Sequence, residues 1–195
     1  MPRPGKKYEF KPDAPRRELL SRLIPTAQQQ KALLKWTLFA GLLLVLLLVQ
    51  DVVLSRFPIF GVTPDLVGAA ILLISVCLGG ETGCVFTLIS ASIYVFSGSA
   101  PGYYTMPLLT ILGTLAAIFR QAYLRKDFGA EILCAAVALM GYELIVFVIN
   151  FFLERTNFGR FGIFCLTGAI SCAAIPILYP IVRSIGKIGG ETWKE

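Results

Sequence analysis

The sequence predicts an all-α integral membrane protein, a bundle of six transmembrane helices with both termini in the cytoplasm. Three observations carry this expectation. Of the 195 residues 56% are hydrophobic and only 15% charged, and the mean hydropathy is +0.73, a composition foreign to a water-soluble domain of this size. Apolar runs long enough to cross a bilayer alternate with short polar segments. Lys and Arg are shared unequally between alternate segments, 15 on one side against 3 on the other, and the positive-inside rule assigns the richer side to the cytoplasm.

Residues 1–35 read as a basic cytoplasmic N-terminal tail holding nine of the 18 Lys and Arg. Pro2, Pro4, Pro12 and Pro15 keep its first part extended. The run RRELLSRLI at 16–24 can form a short amphipathic helix suited to an anionic lipid surface, and Pro25 ends it. No folded module accompanies these charges, so membrane lipids rather than nucleic acid are the expected partner. The transmembrane domain then occupies 36–187. Its first span, 36–54, opens on the interfacial Trp36 and carries Gln50 and Asp51 late. A long tail precedes it and SRFP follows, so it is a retained helix rather than a signal peptide. Arg56, Pro58 and Gly61 mark the loop beyond it.

The next apolar stretch, 61–102, is too long for one crossing, since roughly 20 helical residues traverse a bilayer core of about 30 Å. It breaks once, at Gly79, Gly80 and Glu81, where glycine backbone freedom ends a helix. Two spans near 64–78 and 83–97 therefore form a helical hairpin. Ser75, Gly79, Gly83, Thr87 and Ala91 recur every four residues, and Gly79 with Gly83 matches GxxxG, the spacing that lets helices approach closely in lipid. That pattern serves either internal packing or a surface for another membrane protein. After the SGSAPG loop the fourth run, 105–119, is short and contains Pro107 and Gly113. Residues 120–129 read as a polar loop with three cations, and 130–153 as a long fifth span with Glu143 and Asn150. ERTNFGR leads to the sixth span, 161–182, and residues 188–195 form a cytoplasmic C-terminal tail.

The chain has no histidine, which removes the usual general base and the usual metal ligand. The five cysteines lie inside apolar runs, form no CxxC pair and read as small hydrophobes. No nucleophile with a base and no phosphate-binding loop is present, so neither an enzymatic activity nor a cofactor is expected. Glu143 is a carboxylate well inside a span, and a charge at the bilayer centre costs roughly 2.5–3.5 kcal/mol. It should turn toward the bundle or a protein partner, with Asn150 two turns away on the same face. Transport would need further acidic groups along a path, and the other spans offer mainly Ser and Thr.

Gln50 and Asp51, the run GVTPDL ending at Leu66, the glycine-marked hairpin, the SGSAPG loop and the closing Pro176, Tyr179, Pro180 and Arg183 together resemble the rod shape-determining protein MreD family of bacteria over residues 36–187. The resemblance implies a multi-pass protein of the bacterial cytoplasmic membrane, without activity of its own, that works as a scaffold in cell-wall elongation and cell shape. Its implied partners are a periplasmic coiled-coil protein of the MreC type, an MreB-like filament, and a peptidoglycan polymerase with its transpeptidase. The candidate structural or partner-contact residues are Pro64, Asp65, Gly79, Gly83, Glu143 and Asn150. The alternative is a substrate-binding membrane subunit of an energy-coupling-factor-type vitamin transporter, with Tyr103, Tyr104, Asn150 and Asn157 as pocket residues.

Overall fold

The structure, a computed structural model, describes residues 27–57, 61–123 and 127–188. The amphipathic stretch at 16–24 and all but the first residue of the expected C-terminal tail lie outside the described residues. Helix α1 (Ala27–Leu48) runs on into a π-helical turn, Val49–Leu54. It is followed by α2 (Leu66–Leu78), α3 (Gly80–Phe96), α4 (Thr105–Tyr123), α5 (Phe128–Phe152) and, after a 3-10 turn, α6 (Phe161–Gly186). No strand occurs among the described residues. The segments Gln29–Leu54, Thr105–Tyr123, Phe128–Phe152 and Phe158–Gly186 are long and apolar enough to cross a membrane, whereas α2 and α3 are shorter apolar helices.

Helix α2 is the core. Eleven of its 13 residues are buried, so it is apolar all round because it is enclosed all round, by α3, α4, α5 and α6. Ile71, Leu72, Leu73 and Ile74 are completely enclosed, against Leu109 of α4, Leu139 of α5 and Ile175 of α6. The outer helices turn the opposite face outward: Leu44 and Leu48 of α1, Val85 and Ile89 of α3, Ile111 and Leu115 of α4, and Leu133 and Val137 of α5 are each more than half exposed. An apolar surface continuous over several helices is stable in lipid and not in water. This is an all-α membrane protein.

The hairpin forms as the glycine break indicates, and it turns on one residue. Gly79 adopts φ 89° and ψ −180°, a region essentially reserved for glycine, and the following helix starts at Gly80. The arms run antiparallel, with Gly83 against Ser75 near the turn and Tyr94 bonded to Asp65 at the far end. Ser75 also donates to the Gly113 carbonyl at 3.0 Å, so the small residues seat α3 and α4 on α2. Gly83, Thr87 and Ala91 are all buried in this contact, which makes the four-residue series internal packing. Gly79→Ala should cost about 1–3 kcal/mol through backbone strain. A melting curve in detergent checks this, and an unchanged midpoint would show that the turn tolerates a side chain.

Several boundaries move from the sequence expectation, α3 starting at Gly80 and α6 continuing to Gly186, and two of the differences have a clear cause. The first helix begins at Ala27, nine residues before the expected start of the span, because AQQQKALLK holds no proline or glycine and is rich in helix formers, so the helix propagates past the apolar stretch. The polar loop expected at 120–129 is shorter than that range. Helix α4 continues to Tyr123, α5 starts at Phe128, and Arg120 is only 2% exposed. Arg120, one of the three cations that marked a loop in the sequence, is paired with Glu131 inside the bundle.

Candidate functional site

The polar side chains within the bundle gather in two layers. On α5 they are marked by Glu131 and by Glu143, 12 residues apart and so separated by about 18 Å.

The first layer exists because α2 begins inside the bundle, with Pro64, Asp65 and Val67 all buried. A helix start leaves backbone N–H groups without intrahelical acceptors, and lipid offers none. Three side chains accept them. Asp65 caps the helix, with Oδ1 accepting from Gly68 N–H at 2.7 Å. Gln50 Oε1, from the π-helical end of α1, accepts from Val67 N–H at 3.0 Å. Ser171 Oγ, from the middle of α6, accepts from Asp65 N–H at 2.9 Å. Tyr94 of α3 ties the group together, donating to Asp65 Oδ1 at 3.0 Å and accepting from Gln50 Nε2 at 3.1 Å. Pro64, buried beside them, precedes the cap and carries no N–H that would need a partner.

Around this core of bonds the layer retains polar capacity. The fully buried hydroxyls of Thr105 and Tyr142 lie side by side close to Asp65, whose Oδ2 has no hydrogen-bond partner among the described residues. Glu143, 6% exposed, lies within electrostatic reach of Asp65, and no described residue donates a hydrogen bond to its carboxylate. Toward the end of α5, Asn150 accepts from the Tyr104 hydroxyl at 3.1 Å and donates to the Val146 carbonyl at 3.0 Å. Asp51 accepts from Ser99 Oγ at 2.7 Å, which fastens the SGSAPG loop to α1.

The second layer is an ion pair. Arg120 Nη2 lies 2.5 Å from Glu131 Oε1, with side-chain exposures of 3% and 12%. The Tyr179 hydroxyl donates to Glu131 Oε2 at 2.8 Å, and the Cys77 thiol points at the same oxygen at 3.8 Å. Four helices thus converge on one carboxylate. Arg183 lies over the Tyr179 ring at 5.9 Å, and Phe128 meets that ring edge-on at 4.7 Å. Glu131 also occupies the first turn of α5, where the helix dipole favours a negative charge.

The expected site residues are therefore divided. Pro64, Asp65 and Glu143 come together in the first layer. Gly79 and Gly83 belong to the hairpin contact, toward the second layer. Asn150 pairs with Tyr104 rather than with Glu143, while Tyr103 and Asn157 are exposed. Glu143 is not alone among enclosed carboxylates, since Asp65 is 8% and Glu131 9% exposed. Arg120, Glu131 and Tyr179 were illegible as a unit, because a charge beside an apolar run reads as a loop until its partner is known. Among the described residues all five cysteines are free, Cys165 is exposed, and no group of His, Cys, Asp and Glu side chains is placed to hold a metal ion. No protein-family model, curated protein or solved structure matches this chain.

Proposed function

We propose that the chain is a scaffold of the bacterial cell-wall elongation machinery, of the MreD type, crossing the cytoplasmic membrane six times with both termini in the cytoplasm. One observation carries this reading. Gln50 and the GVTPDL segment, two of the stretches on which the resemblance rests, meet in a single buried network at the start of α2. Residues that sit in separate loops and spans of the sequence thus serve one structural task. Such a layer fixes α1, α3 and α6 around α2 and gives a rigid body on which membrane partners can assemble.

Six crossings are supported by the way helix ends meet. The end of α1 lies with the start of α2 and the end of α3, and Gly80 at the hairpin turn bonds to Gln121 near the end of α4 at 3.2 Å. Glu131 at the start of α5 reaches Tyr179 late in α6. This is an up-and-down order. Withdrawing Arg120 from the loop count leaves 14 cationic residues against 3, so the orientation is unchanged.

Two measurements test the reading. Impermeant maleimide added outside should label a cysteine at Asn157 and not one at Lys126, in a background whose native cysteines are replaced. Labelling at Lys126 from outside would overturn the six-span topology. Purification from native membranes should bring down cell-wall synthesis proteins, and recovery of an ATPase module with a tightly bound vitamin would replace the scaffold reading with the transporter one.

A further inference from the structure

Glu143 lines a groove of about 240 Å³ between α5 and α6, whose walls include Met140, Leu144, Phe164 and Gly168. The walls are apolar, yet the carboxylate opens onto them with no hydrogen-bond donor among the described residues. Among the described residues the charged group that acts on it is Asp65, of the same sign, while Arg120 meets Glu131 about 18 Å along the bundle. A charged carboxylate in an apolar groove is costly unless a donor meets it, and the neutral acid still keeps a carbonyl oxygen that accepts a hydrogen bond. Glu143 lies about 22 Å from the start of α5 and about 14 Å from its end, so the donor must reach the membrane interior.

We propose that this groove receives a transmembrane helix of another protein, one that presents a hydrogen-bond-donating side chain to Glu143. The inference rests on the scaffold reading and names the face on which a membrane partner sits. A lipid acyl chain fills apolar space but carries no donor. A second copy of this chain is poorer, because along the described outer faces of its helices Ser92, Thr110, Thr114 and Thr167 each donate to a carbonyl of their own helix. A foreign helix with Asn, Gln, Lys or Arg at mid-depth satisfies the carboxylate, and small residues allow it to come close. Gly141 lines the groove, and a methyl group added there would meet nothing within 4 Å.

The test uses the full chain in native membranes, with p-benzoylphenylalanine replacing Leu144 in the groove or, as control, Leu115 on α4. After irradiation the Leu144 probe should join to one transmembrane segment of another protein, mapped by peptide mass spectrometry and bearing a donor side chain. The adduct should fall at least tenfold in Glu143→Leu and less in Glu143→Gln, which keeps an acceptor oxygen. Should Glu143→Leu fail to accumulate, Gly141→Leu is the second variant: it leaves the carboxylate, fills open space in the groove, and should also remove the adduct. Adducts to lipid alone, to a second copy alone or to a segment without a donor would overturn the proposal, as would full yield in Glu143→Leu or Gly141→Leu. A donor-bearing helix from a protein unconnected with wall synthesis would keep this site and remove the scaffold assignment. Lipid-only adducts alongside co-purifying wall-synthesis proteins would do the reverse.

Discussion

Arg120→Leu should destabilise the bundle by about 3–5 kcal/mol, because it leaves Glu131 enclosed without its cation. The remaining partners are the Tyr179 hydroxyl and the Cys77 thiol, neither of which carries positive charge. Glu131→Leu, which removes the anion that Arg120 meets at 2.5 Å, should also lower stability. The double variant Arg120→Leu with Glu131→Leu should recover most of the loss, since two apolar side chains at this depth need no partner. Thermal unfolding in detergent, followed by loss of the monodisperse peak on size exclusion, reads all three. Equal stability of Arg120→Leu and the natural chain would show that the ion pair holds nothing together. A double variant as unstable as either single one would place the loss in packing rather than in charge.

Gly83→Leu should prevent folding, and Gly83→Ala should already lower stability by about 1–3 kcal/mol. A Cβ built on Gly83 stands 2.6 Å from the carbonyl oxygen of Ser75 and 3.1 Å from its Oγ. The first of these atoms is backbone, so no rotamer change can clear it. The helix that carries it is enclosed on all sides and joined to α3 through the single residue Gly79, which leaves little room to slide. Gly129→Ala is the control, since a methyl group there meets nothing within 4 Å, and it should leave stability unchanged or raise it by up to about 1 kcal/mol. Accumulation in membranes and melting temperature separate the two positions. Normal behaviour of Gly83→Leu would mean that the hairpin arms can part without loss.

Much of the architecture is legible in the chain because its causes are local. Apolar runs make membrane helices, since an unbroken hydrophobic stretch has nowhere else to go, and glycine at 79 breaks the longest run because only glycine holds a φ of 89° with an extended ψ. The four-residue series through Gly83 likewise signals close approach from spacing alone. Asp65, singled out only through the GVTPDL run, caps α2. Glu143 can be singled out because a carboxylate amid apolar residues demands an explanation.

What the tertiary structure alone decided is which groups meet. Asp65 N–H is satisfied by Ser171, 106 positions away, and Tyr94 joins Gln50 across 44, and nothing in the local pattern of any of these segments names its counterpart. Arg120 shows the limit most plainly. In the sequence a cation at the end of an apolar run is a cost that only water can relieve, so it signals a loop. In the folded bundle Glu131 and Tyr179 supply the compensation, and α4 continues through the position as helix. A charge is a boundary or an anchor according to its partner, and the partner is fixed by packing over distances that hydropathy and spacing do not encode.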